Sequence, residues 1–178
     1  SESDLLPSGA AWCSRIKERT EAETEPRGQI SFGDMPGQGI YILPADGSTS
    51  PVKVLEGSSH SWSPDRQYIA YPEYKGIVVA NADGSEPKQI IENKDYIFQL
   101  EWSPDGTKIA HDNKDDSDHW TLYLLNRDGT EHTLLTKDHS VNEKSPSWSS
   151  DSQWLTFHSW KGEDPKDIYI MRSDGSER

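Results

Sequence analysis

Short apolar runs separated by polar turns recur along the whole chain. "QYIAY" (67–71), "TKIAH" (107–111) and "QWLTF" (153–157) alternate large and small residues, as strands with two differently packed faces do. "GIYIL" (39–43), "GIVVA" (76–80), "LYLL" (122–125) and "DIYIM" (167–171) are apolar enough to be buried on both faces. "VKVL" (52–55), "PKQII" (87–91) and "HTLLT" (132–136) are amphipathic, as outer strands should be.

The turns between these runs repeat as well. "SWSPDRQYIA" (61–70) returns as "EWSPDGTKIA" (101–110) and, worn, as "SWSSDSQWLT" (147–156), so that Trp62, Trp102 and Trp148 stand 40 and 46 residues apart. Nine positions after each Trp comes Tyr71, His111 or Phe157. A second marker lies out of phase with the first: "PADGS" (44–48), "NADGS" (81–85), "NRDGT" (126–130) and "RSDGS" (172–176). Ser-Pro-Asp-Gly suits a type I turn, in which Pro sets φ at the second position. Asp-Gly between two strands predicts a two-residue hairpin with positive φ at both central residues.

One unit is therefore four antiparallel strands: an inner strand ending at Trp-Ser-Pro-Asp, a second, a third ending at Asp-Gly, and an outer one. Four strands in a repeat of this length predict an all-β chain folded as a β-propeller. The blades fall at about 8–56, 57–92, 93–136 and 137–178. The last unit stops before its outer strand, whereas Ser3–Leu6 has the composition of one, and Trp12 in "SGAAWCS" (8–14) fits the first inner strand. Two arrangements follow: a four-bladed ring closed by Ser3–Leu6, which would leave no open sheet edge, or four blades of a longer propeller. The insertion at 15–28 has one large apolar residue, Ile16, and is expected to be exposed.

Composition narrows the partners. The 178 residues carry 18 Lys+Arg against 31 Asp+Glu, a formal charge of −13. Such a surface repels phosphate backbones and anionic lipid, which argues against nucleic acid and membrane as partners. No apolar run reaches the roughly 18 residues of a membrane-spanning helix. Hydrophobic residues are only 31%, yet there are seven Trp, which is too aromatic for a disordered chain. With one cysteine, Cys13, no intrachain disulfide forms.

"WSPDGTKIAH…LYLLNRDGTEHTLLT" (102–136) resembles the TolB-type propeller repeat along nearly its whole length, and the resemblance extends from about Gln29 to the C-terminus. It departs at Arg66 and at Ser149–Ser152, where the turn Gly and Pro are replaced. The resemblance implies a periplasmic or otherwise extracytoplasmic binding protein, since TolB engages a peptidoglycan-associated lipoprotein. Related repeats also occur in peptidase gate domains and in oligogalacturonate lyases, so fold alone does not fix function.

Topology places the chemistry. In an up-and-down blade the Trp-Ser-Pro-Asp and Asp-Gly turns share one edge of the propeller, and the variable connections share the other. Variable loops on a rigid scaffold are where binding is usually built. The variable edge collects His60, Tyr74, Tyr96, His111, Asp115 and Asp118, together with His119, Trp120, His139, His158 and Trp160. The first reading is a non-enzymatic scaffold that binds a protein or peptide there. The alternative is a carbohydrate-active or metal-dependent, lyase-like enzyme, or a sugar-binding protein, using the same His, Asp and Trp residues. Within this set, Asp112–His119 has carboxylates spaced somewhat as in a calcium loop but lacks its central Gly and closing Glu. His60, His111, His139 and His158 would have to converge to hold a transition metal, and His111 stands where other blades place Tyr71 and Phe157. Neither a cofactor nor a metal is expected.

Overall fold

In the computed structural model of the chain, the described residues are 28–33, 39–57, 59–74, 76–92, 95–138 and 140–178. They form four antiparallel sheets in which strands pair in chain order. Blade 1 contains β1 (Gln29–Gly33), β2 (Ile40–Pro44) and β3 (Val52–Leu55). Blade 2 is β4 (Ser61–Trp62), β5 (Tyr68–Glu73), β6 (Gly76–Asn81) and β7 (Lys88–Glu92). Blade 3 is β8 (Leu100–Trp102), β9 (Lys108–Lys114), β10 (Trp120–Asn126) and β11 (Thr133–Leu134). Blade 4 contains β12 (Asn142–Trp148), β13 (Trp154–Trp160) and β14 (Asp167–Arg172). The all-β propeller architecture of four-stranded antiparallel blades is the one the repeat predicts. The expected closing strand Ser3–Leu6, the inner strand around Trp12 and all of the 15–28 insertion but Gly28 lie outside the described residues.

Each pair of neighbouring blades closes over its own apolar cluster. Ile40 and Ile42 of blade 1 pack on Ile69, Tyr71 and Val78 of blade 2, with Trp62 against them. Ala70 and Ile77 of blade 2 meet Trp102, Ile109 and Leu125 of blade 3. Leu122 and Leu124 of blade 3 meet Leu155, Phe157 and Met171 of blade 4, with Trp148 alongside. The repeated Trp thus packs between blades, and the Trp148 indole Nε1 also donates to the Glu101 carbonyl of the preceding blade at 3.1 Å. Strand register repeats too: Phe32 pairs with Tyr41, Tyr71 with Val78, His111 with Tyr123 and Phe157 with Tyr169.

The Trp-Ser-Pro-Asp turn is held by its own side chains. Arg66 N donates to the Ser63 carbonyl at 2.9 Å, Ser63 Oγ donates to Asp65 Oδ1 at 2.6 Å, and Gln67 N donates to the same carboxylate at 3.0 Å. The same bonds recur around Asp105 and Asp151. Arg66 and Ser152 take φ of 60° and 59° where blade 3 has Gly106 at 74°. The departures from the repeat consensus therefore keep its backbone path, at the cost of strain at two residues with side chains.

The Asp-Gly hairpins correct the expectation of a two-residue loop. β6 ends at Asn81 and β7 begins at Lys88, and in the loops of blades 2, 3 and 4 positive φ falls on the Gly and again two residues on, at Glu86, Glu131 and Glu177; the blade 1 loop has it at Gly47 alone. The Asp does not share it, because its carboxylate is engaged two residues ahead: Asp83 Oδ1 accepts from Ser85 N at 2.9 Å and Asp128 Oδ1 from Thr130 N at 3.0 Å.

At the two ends of the row of blades, apolar side chains are exposed. Ile30 and Phe32 alternate with Ser31, which bonds to blade 2, so they lie on the far side of blade 1. Ile168 and Ile170 pair with His158 and Thr156 on the side of blade 4 turned away from blade 3.

Candidate functional site

The variable connections meet at one edge, as the topology requires, and a cleft of about 250 Å³ lies among them. Gly57 and Ser59 enter it from the β3–β4 connection, Pro72, Glu73 and Tyr74 from the end of β5 and the turn after it, and Asp95, Tyr96, Ile97 and Phe98 from the segment before β8. Tyr74 is 90% exposed and Tyr96 60%. Exposed rings at a cleft are a costly use of aromatic surface unless a partner covers them.

The cleft wall is built by backbone pairing and one buried carboxylate. Tyr96 exchanges hydrogen bonds with Lys114 at the end of β9, at 3.2 and 2.8 Å. Asp112 is fully buried; its Oδ1 accepts from Phe98 N at 3.0 Å and Gln99 N at 2.8 Å, and its Oδ2 accepts from Ser145 N of β12 at 3.2 Å. Burial raises the Asp112 pKa, and these amides oppose the rise. Asp95 Oδ2 accepts from Asn113 Nδ2 at 3.0 Å, which orients that carboxylate in the wall.

Behind the cleft, Trp120 meets Tyr96 and Phe98 edge-on, with ring centroids 6.2 and 6.3 Å apart. Lys144 Nζ sits 3.5 Å from the Phe98 ring centroid and 4.2 Å from that of Trp120. Burial among these rings draws the Lys144 pKa down, while the nearby Asp112 pulls it up. Trp120 N donates to Asn142 Oδ1 at 3.0 Å, tying the loop of blade 3 to blade 4.

The other expected site residues separate into distinct environments. Asp115 closes its own hairpin, accepting at Oδ1 from Ser117 N at 2.8 Å and His119 N at 3.1 Å. Asp118, at φ 66°, pairs with Lys114. The carboxylates of 112–118 therefore do not converge as a calcium loop would. His60 Nε2 lies 2.6 Å from Ser31 Oγ, which also accepts from Trp62 Nε1 at 2.5 Å, so His60 fastens blade 2 to blade 1. His158 and Trp160 alternate with the buried Phe157 and Ser159 and project from the opposite face of β13. His139 lies outside the described residues. His60, His111 and His158 do not converge, and among the described residues no three His, Cys, Asp or Glu side chains come together to hold a metal.

His111 finds instead a partner that sequence reading passed over. Its Nε2 lies 2.9 Å from His132 Nε2, and its Nδ1 lies 3.1 Å from the Asp112 carbonyl. A carbonyl only accepts, so Nδ1 carries the proton and His132 Nε2–H donates to His111 Nε2. Burial pushes the His111 pKa down to about 3 and lowers that of His132. One blade on, Arg178 occupies the repeat position of His132, 5.6 Å over Phe157 and 5.2 Å over Tyr169, and pairs at 2.5 Å with buried Glu143. Both residues follow the Asp-Gly turn by the same interval, which is the signal that could have found them.

A family model of the TolB beta propeller domain matches residues 38–178. The chain belongs to the TolB β-propeller family. The Tol-Pal system protein TolB of Alcanivorax borkumensis is 33% identical over 78 residues, 44% of this chain and 18% of that protein. TolB from Acinetobacter baumannii superposes with a TM-score of 0.66 at 20% identity, over 84% of this chain and 40% of that one. An oligogalacturonate lyase from Vibrio parahaemolyticus gives 0.64 at 15% identity, over 84% and 48%. This TolB-like chain thus spans less than two thirds of each of these proteins, and at such identities the superpositions establish the fold.

Proposed function

We propose that this TolB-like chain is a non-enzymatic binding module that recognises a protein or peptide through its variable-loop edge. The observation that carries the reading is the cleft at that edge, with Tyr74 exposed on one side and Tyr96 on a wall held by the Tyr96–Lys114 bridge and the Asp112 clamp. Large rings on a preorganised backbone give contact area at low entropic cost, which is how interface hot spots are made. The name of the Alcanivorax relative, a component of the Tol-Pal system, supports a protein partner and an extracytoplasmic location.

The lyase relative and the same exposed rings raise a carbohydrate-directed alternative. Glu73 and Asp95 at the cleft argue against a polyuronate chain, whose carboxylates they would repel. His111 and His158 lie on opposite faces of their strands, which argues against shared chemistry between them.

Peptides selected from an unbiased display library test the reading. Their affinity should fall at least tenfold for the doubly substituted Tyr74→Ala, Tyr96→Ala protein. Unchanged affinity would place the binding surface elsewhere.

A further inference from the structure

The cleft has a charge as well as a shape. Glu73 and Asp95 line it beside Tyr74, Tyr96 and Phe98, in a chain of formal charge −13. Its volume of about 250 Å³ falls below the roughly 300–1,000 Å³ of pockets for drug-sized ligands, so it fits one side chain rather than a whole small molecule.

The same group of rings already holds a cation from within the chain. Lys144 Nζ sits over Phe98 and Trp120, drawn by the negative faces of the two rings. Phe98 belongs both to that internal site and to the cleft wall. A neutral apolar guest would strip water from the carboxylates at the cleft without offering them a donor, and an anionic guest would be repelled. A guanidinium answers both features at once: its plane stacks on an aromatic ring, and its fork of donors meets a carboxylate in bidentate fashion. Glu73 and Asp95 supply carboxylates at the cleft, and Asn113 fixes the position of the second.

We infer that the cleft between Tyr74 and Tyr96 receives an arginine side chain of the partner, against Glu73 and Asp95. The inference rests on the peptide-binding reading above and names the chemistry of the residue at its centre.

A fluorescein-labelled Gly-Arg-Gly-Arg-Gly peptide is the probe, with a citrulline counterpart as its neutral isostere. Saturable binding is expected, at least tenfold weaker for the citrulline peptide and at least fivefold weaker for Glu73→Gln or Tyr74→Ala. Glu163→Gln, an equal charge change on the exposed β13–β14 loop, should leave it unchanged. If Glu163→Gln weakens binding as much as Glu73→Gln, the attraction is diffuse and the inference falls. Absence of saturable binding overturns it as well. Library-selected peptides separate this failure from that of the broader reading. If they bind through Tyr74 and Tyr96 without arginine, the peptide-binding site stands and only its arginine preference is lost. If they are indifferent to both tyrosines, the two fall together.

Discussion

Gly129 of blade 3 is pressed against the Ile90 carbonyl of blade 2, so closely that a Cβ built on the glycine would lie 1.9 Å from that oxygen. Gly84 meets the Val54 carbonyl of blade 1 in the same way, at 2.5 Å, and Gly175 meets Leu135 of blade 3 at 3.1 Å. The Asp-Gly turns of blades 2, 3 and 4 are thus latches onto the outer segment of the blade before. Gly47 has the same left-handed backbone, at φ 67°, with no atom of the described residues within 4 Å of such a Cβ.

Comparing two substitutions isolates the latch. Gly47→Ala should cost about 1–2 kcal/mol, the penalty of a left-handed backbone for an alanine. Gly129→Ala adds a clash with backbone and should cost at least about 2 kcal/mol more. Urea denaturation of both variants measures the difference, and equal losses would mean that the blades do not bear on each other there.

The Trp-Ser-Pro-Asp turn of blade 4 has a latch of its own. Ser152 holds φ 59° and accepts Asp105 N of blade 3 at 3.0 Å. Ser152→Ala keeps the strain and loses the bond, so a loss of about 1–2 kcal/mol is expected. Ser152→Gly loses the bond but relieves the strain and should fall clearly short of that loss by thermal denaturation.

Much of this scaffold was legible because repetition multiplies weak signals. Trp62, Trp102 and Trp148, with Tyr71, His111 and Phe157 nine residues on, fixed strands, blade order and inter-blade packing together. Loop geometry was not legible, because the positive φ at Glu86, Glu131 and Glu177 belongs to residues that do not advertise it. Asp112 reads as part of an acidic loop in "DNKDDSDH", yet it is buried by backbone amides supplied from two other segments. The pairing of His111 with His132 crosses from β9 to the segment before β11, and the shared interval after the Asp-Gly turn marks the position of His132 but not its partner. Of the candidate site, Tyr74, Tyr96 and Trp120 were placed on the right edge by topology alone. His158 and Trp160 stand at the same edge, at the end of β13, but which face of the strand they occupy depends on register, which topology alone does not give.

Asp112 should matter to both stability and site. Asp112→Ala leaves the amides of Phe98, Gln99 and Ser145 without their acceptor and should cost about 2–4 kcal/mol. Asp112→Asn retains an oxygen for Phe98 and Gln99 but turns a donor toward Ser145 N. Hydrogen exchange should therefore stay slow at Phe98 and Gln99 and quicken at Ser145 in the asparagine variant. Acceleration at all three would contradict the assigned geometry.

Acid should loosen the blade 2–3 contact before it affects the turns. His111 titrates near pH 3 when folded, against about 6.5 when unfolded, so between these values the unfolded chain binds the extra proton. The stability it contributes is complete above about pH 6.5 and declines as pH falls toward 3, by about 1.4 kcal/mol per pH unit over most of that range. Asp65, Asp83, Asp128 and Asp174 have pKa values lowered by Ser, Thr and backbone hydrogen bonds, so their contribution is lost only below the ordinary aspartate range. The melting temperature of the natural chain should drop between pH 6.5 and 5, and His111→Phe, which copies the Phe157 position, should reduce that slope to the part His132 contributes. A slope unaltered in the variant would assign it to other groups.

The central claim is that binding lives on the variable edge and the repeated turns are scaffold. Hydrogen exchange with a bound library-selected peptide tests this most directly. The account predicts slowed exchange at 73–76 and 95–99, with the Trp-Ser-Pro-Asp and Asp-Gly turns unchanged. Protection confined to those turns would contradict it and move the functional surface to the opposite edge.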